Sequence, residues 1–260
     1  MSKEAIPLRI LAISPHLDDA VLSAGARLHD LAADGHEVVV LTLFAGFPSP
    51  PYSPLAHELH ELWGLGNDPV GARRREDEAA LAQLGVTARH AGFLDAVYRP
   101  GRSGWQATDE CADDALVRAK LAVAVRDALA PPPDLVLTAA GIGGHIDHVL
   151  TRDAVLAECR DAAVPVELWQ DLPYAGTTSA VPRLAPGVRL AAGRPVVASE
   201  PAWRAKTAAV RCYTSQLGML WPEHPDIARP LAAHARAAGG VGRPAELFWS
   251  AHWVAAASHS

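Results

Sequence analysis

The sequence predicts an α/β fold with a mostly parallel sheet flanked by helices. Short apolar runs of strand length alternate with longer stretches of helical spacing. The opening segments form a β-α-β unit, whose strands must be parallel and joined by a right-handed crossover. No internal repeat or low-complexity linker divides the chain, so residues 1–260 are expected to form a single domain.

Residues 8–14 (LRILAIS) are an apolar run suited to a buried strand, and residues 18–34 show helical spacing that ends before Gly35. Residues 37–43 (EVVVLTL) predict the second buried strand. From Ala45 to Gly71 the chain carries Pro48, Pro50, Pro51 and Pro54 and several glycines, which predicts a long loop placed to cover a pocket. A helix is expected at 72–85, stopped by Gly85, then a short strand near 89–94 and a second loop to about 108. A helix at 113–130 ends at Pro131, a strand follows at 134–139, and the segment GIGGHIDH leads into a helix at 146–160. A fifth strand is expected at 164–169. The last third predicts a strand at 195–199, helices at 201–217 and 225–238, and a strand at 246–250. Together these elements make a Rossmann-like architecture, in which ligands collect at the carboxyl ends of the strands.

Composition excludes several functions. Lysine plus arginine number 23 against 29 acidic residues, a net charge of −6 without a basic block, which disfavours a nucleic-acid partner. Apolar runs reach about seven to ten residues, short of the roughly 18 that a membrane span needs. The first residues carry no small-residue cleavage site, and the expected location is the cytoplasm. Cys111, Cys159 and Cys212 show no C-x-x-C spacing and are read as reduced bystanders.

Two short segments carry the chemistry. Ser14-Pro15-His16-Leu17-Asp18-Asp19 lies where the first strand passes into the first helix, and His145-Ile146-Asp147-His148 lies at the equivalent end of the fourth strand. His16 and Asp19, three apart, reach one point from such a turn, and Asp18 between them stays free. The two segments offer two histidines and a carboxylate, the ligand set of a catalytic zinc that keeps a fourth position open. Each residue also has an ordinary alternative. Asp18 could simply cap a helix, the histidines could be two of 12 ordinary ones, Arg73 and Glu76 could be a solvated helical pair, and Trp63 could be a packing anchor.

This pattern resembles the PIG-L/LmbE family of zinc-dependent N-deacetylases, whose hallmarks are an H-P-D-D type motif after the first strand and an H-x-D-H type motif far downstream. The likeness extends to Arg73, Glu76, Ala79 and Leu84-Gly85, and to Lys206 with Tyr213, Ser215 and Gln216. It implies that His16, Asp19 and His148 hold one zinc per chain, with Fe2+ or another divalent transition metal as the alternative, at the carboxyl ends of the strands. It implies Asp18 as general base, His145, protonated, as a stabiliser of the transition state, and Asp147 as the group that orients His145. Arg73, Glu76, Asp95 and Trp63 are candidate substrate contacts. Leu17 stands where the family usually has proline, Ala20 where many members have glutamate, and Gly143 where some place a tyrosine that assists the oxyanion.

The implied reaction removes an N-acetyl or other N-acyl group from an amino sugar or its glycoside, with a small-molecule partner and a homo-oligomer as an open option. Rivals are an amidase of a mycothiol-type thiol conjugate and a non-catalytic sugar-binding module. A nucleotide-dependent oxidoreductase or methyltransferase is disfavoured, because the first turn holds histidine and two aspartates where a dinucleotide site needs glycines.

Overall fold

The computed structural model describes residues 6–102, 104–107, 111, 113–174, 184–224, 226–239 and 242–254. Its elements run β1 (Arg9–Ser14), α1 (Asp19–Ala33), β2 (Glu37–Thr42), α2 (Pro54–Trp63), α3 (Pro69–Gln83), β3 (Thr87–His90), α4 (Asp114–Ala128), β4 (Leu135–Ala139), α5 (Ile146–Ala162), β5 (Val166–Trp169), β6 (Val188–Leu190), β7 (Arg194–Val197), α6 (Glu200–Val210), α7 (Thr214–Leu220), α8 (Ala228–Ala237) and β8 (Ala245–Trp253). The sheet order is β3-β2-β1-β4-β5-β8-β6, with β7 also paired to β8. The first five strands are parallel, and β6, β7 and β5 all meet β8 antiparallel. No helix among the described residues is long and apolar enough to cross a membrane.

The strand period of two divides the core into two layers. From β1, Ile10 and Ala12 pack on one face with Leu22, Leu28, Leu81 and Val210, while Leu11 and Ile13 pack on the other with Leu121, Val125, Leu150 and Val155. α1, α3 and α6 to α8 therefore cover one face of the sheet, and α4 and α5 the other.

Two expectations are corrected, and one strand is added. The stretch from 45 to 71 is not one loop, because Ser53 accepts the Ala56 N–H at 3.1 Å and Pro54 occupies the first turn, which starts α2. Gly64, left-handed with φ 64°, ends that helix, and Asp68 with Pro69 starts α3 in the same manner. The helix expected at 201–217 is two helices. Glu76 accepts the Ser215 N–H at 2.9 Å and both the Thr214 and Ser215 hydroxyls, which fixes a new helix start. Strand β6, three residues long, escaped the sequence reading because so short a run carries no period.

Lys206 and Glu246 form a fully buried ion pair at 2.6 Å, and Glu246 also accepts the N–H groups of Ala26 and Arg27 from α1. This pair joins α6, β8 and α1. Lys206→Met, which strands the Glu246 charge, is expected to lower stability by about 3–5 kcal/mol. Urea unfolding of the variant checks this, and a loss below about 1 kcal/mol refutes it.

Candidate metal centre

Parallel strands deliver the predicted residues to one place. His16 follows β1, Asp95 lies beyond β3, His145 and His148 open α5 just after β4, and the next turn after β5 carries Asp171. His16 Nδ1, Asp19 Oδ2 and His148 Nε2 are separated by 3.4, 3.2 and 3.3 Å. A tetrahedral ion bonded at about 2.0–2.1 Å holds its ligand atoms roughly 3.3–3.4 Å apart, so these three residues fit a metal.

The opposite nitrogen of each histidine is held by a carboxylate. His16 Nε2 meets Asp147 Oδ2 at 3.0 Å, and His148 Nδ1 meets Asp171 Oδ1 at 2.8 Å. That arrangement aims the free nitrogens at the common point. A second grouping of His16, Asp95, His145 and Asp147 also brings ligand atoms within 4.8 Å of one another. It is the poorer metal site, because Asp147 is engaged by Arg99 at 2.6 Å and the Ala96 N–H at 2.9 Å.

Asp147 therefore departs from its expected part. Its carboxylate grips His16, and only its backbone N–H reaches His145, at 3.1 Å to Nδ1. That bond requires a lone pair on Nδ1 and leaves the ring hydrogen of a neutral His145 on Nε2. Burial and the neighbouring His16 hold the His145 pKa well below the usual imidazole range. Nδ1 of His145 is thus an acceptor and Nε2 the ring nitrogen left to donate, and burial with His16 disfavours the protonated form that was expected.

Asp18 does not cap α1 with its side chain, and its backbone adopts φ 149°, a strained conformation for a residue other than glycine. Burial and the adjacent Asp19 push its carboxyl up to about 7, against the opposing charge of Arg73. Asp19 is held well below the carboxylate range: burial opposes this, and His148 and His16 outweigh it. His16 and His148 are raised for the reciprocal reason, as the surrounding aspartates outweigh burial.

The site is the floor of a cavity of about 420 Å³. Its polar end holds His16, Asp18, Asp19, Asp95 and His145, and its walls are apolar, with Leu59, Leu62 and Trp63 from α2. Arg73 lies 3.9 Å from both Asp18 and Asp95, with its guanidinium 4.8 Å from the Trp63 ring. Trp63 is at once a packing residue and a wall of the cavity. Glu76 is corrected as a substrate contact, since Thr214 and Ser215 occupy its carboxylate away from the cavity.

Sequence reasoning missed Asp171, Arg99 and Tyr174. Tyr174 lines the cavity, edge-on to His148 at 5.9 Å. A Cβ on Gly143 would lie 2.8 Å from the Tyr174 Cβ and Cγ, and Gly143 has φ 93°, so position 143 admits glycine alone.

Comparison with known proteins places the chain in a family. The PIG-L pattern, GlcNAc-PI de-N-acetylase, matches residues 11–159. The 2'-N-acetylparomamine deacetylase of Streptomyces fradiae is 32% identical over 185 residues, 66% of this chain and 60% of that protein. The 1D-myo-inositol 2-acetamido-2-deoxy-alpha-D-glucopyranoside deacetylase 1 of Frankia casuarinae is 32% identical over 196 residues, 69% of this chain and 59% of its own length. The chain thus spans about 60% of those relatives. Among solved structures, the zinc-inhibited form of a teicoplanin deacetylase is 40% identical with a TM-score of 0.88, covering 95% of this chain and 99% of its own. The A40926 pseudoaglycone deacetylase is 41% identical with a TM-score of 0.86, covering 96% and 100%. A 4-carboxy-2-hydroxymuconate hydratase, 20% identical with a TM-score of 0.56, shares the fold alone. With the family pattern spanning more than half of its residues and the two hallmark motifs meeting at one point in space, the chain belongs to the PIG-L family.

Proposed function

We propose that this protein is a metal-dependent N-deacetylase. It removes an N-acetyl or other N-acyl group from an amino sugar or amino-sugar glycoside and releases a carboxylate and a free amine. It acts in the cytoplasm as a single domain over residues 1–260. The observation that carries the reading is the 3.2–3.4 Å triangle of His16, Asp19 and His148 beside a buried, strained and uncoordinated carboxylate, Asp18. The named activities of the relatives support the amino-sugar substrate.

His16, Asp19 and His148 would hold one ion per chain, and two imidazoles with one carboxylate suit zinc or iron(II) better than magnesium. Such an ion supplies Lewis acidity, making a water acidic near neutral pH and polarising an amide carbonyl. Asp18 takes the proton from the attacking water, and Arg73 at 3.9 Å favours its ionised form against the burial and the Asp19 charge that raise its pKa. The neutral His145 donates its Nε2–H to the carbonyl oxygen as that oxygen gains negative charge. The proton held by Asp18 then passes to the departing nitrogen, so one water is consumed and both enzyme groups return to their starting states. Asp95 and Arg73 face the sugar, and the apolar walls face whatever the sugar carries.

Release of free amine across a panel of N-acetyl amino sugars, their glycosides and thiol conjugates tests the reading, and a metal-loaded protein that releases none overturns it. Trp63→Ala is expected to raise KM, because it removes one wall of the cavity and the ring against which the Arg73 guanidinium rests, with metal content unchanged. An unchanged KM in the folded variant removes Trp63 from substrate recognition.

A further inference from the structure

Asp171 is 1% exposed and lies two residues beyond β5, far in sequence from either hallmark motif. Both of its oxygens are used. Oδ1 meets His148 Nδ1 at 2.8 Å, and Oδ2 accepts the Ile142 N–H at 3.0 Å. Ile142 belongs to the turn between β4 and α5, three residues before His145. A carboxylate offers only acceptors, so the proton of a neutral His148 sits on Nδ1 and its lone pair on Nε2, the atom 3.2 Å from Asp19 Oδ2 and 3.3 Å from His16 Nδ1.

We infer that Asp171 is a positioning residue with two linked tasks: it fixes the tautomer of His148 that can ligate a metal, and it ties the metal site to the turn that carries His145. The physical reason is that one rigid carboxylate cannot turn toward His148 without dragging the Ile142 amide, so order at the metal ligand is transmitted to the donor of the proposed reaction. The inference rests on the metal assignment made above.

Asp171→Asn keeps the shape and breaks the logic. An amide has one acceptor and one donor face, so it either loses the Ile142 N–H or presents its NH2 to His148 Nδ1, which moves the ring proton onto Nε2 and blocks the metal. Zinc affinity, measured by chelator competition, is expected to fall about 10–100-fold, as for loss of an outer-shell partner. In the wild type, zinc is expected to slow hydrogen exchange at the Ile142 amide, and in zinc-saturated Asp171→Asn that slowing is expected to vanish. A zinc affinity within about twofold of wild type, or equal zinc protection of Ile142 in both proteins, overturns the inference while leaving the deacetylase reading intact. A wild type that binds no divalent ion overturns both. Should the variant fail to fold, imidazole nitrogen shifts of the zinc-loaded wild type decide: a proton on His148 Nδ1 supports the inference, and metal on Nδ1 refutes it.

Discussion

Asp18→Asn is expected to retain its metal and to lose about 10²–10⁴ in kcat. The side chain is nearly isosteric, and the three metal-facing atoms belong to His16, Asp19 and His148, so the ligand triangle persists. What disappears is a carboxylate at the polar end of the cavity that neither faces the metal position nor clamps a histidine. The strained backbone at φ 149° is the structural cost of pointing that group into the cavity instead of using it as a helix cap. The check is turnover of the best substrate in the amine-release panel, alongside elemental analysis. A variant with near-normal turnover removes Asp18 from the role of base. His145→Ala is a useful contrast, because a donor used mainly in the transition state lowers kcat with little change in KM.

His16→Ala and His148→Ala are each expected to empty the site, with metal affinity reduced beyond the roughly 10–100-fold that loss of an outer-shell partner costs. Each removes one corner of the triangle. Each also takes one hydrogen-bond partner from a buried carboxylate, Asp147 in the first case and Asp171 in the second. Metal content after dialysis against a weak chelator reads the result directly. Full occupancy in both variants shows that the ion, if bound, is held elsewhere.

The parallel half of the fold was legible because its signals are local. The runs at 8–14, 37–43 and 134–139 are apolar at most positions, as expected of strands covered on both faces. The stretch at 45–71 misled because its prolines read as loop residues, whereas Pro54 and Pro69 each sit at the first turn of a helix behind a capping Ser53 or Asp68. In the site, the three-residue spacing of His16 and Asp19 suggested a shared point, and the choice of His148 as the third corner came from the family resemblance. The carboxylates behind the histidines were not legible. Asp147 turns to His16 across 131 positions of sequence, and Asp171 is an isolated aspartate after a four-residue strand. Glu76 looked like a site residue and is a helix cap, since a lone carboxylate on a helix does not announce its partner.

The close packing of Tyr174 against Gly143 makes these two positions interdependent in evolution and in protein engineering. With the Tyr174 ring 2.8 Å from where a Cβ on Gly143 would stand, a tyrosine cannot be grafted at 143 in one step. The order of substitution matters, because the crowding atoms include the Tyr174 Cβ, so glycine at 174 is needed to open the space, and the turn must still leave its positive φ. A single-site mutational scan would therefore score position 143 as invariant, although part of that constraint belongs to the pair and part to the φ of 93° at position 143 itself.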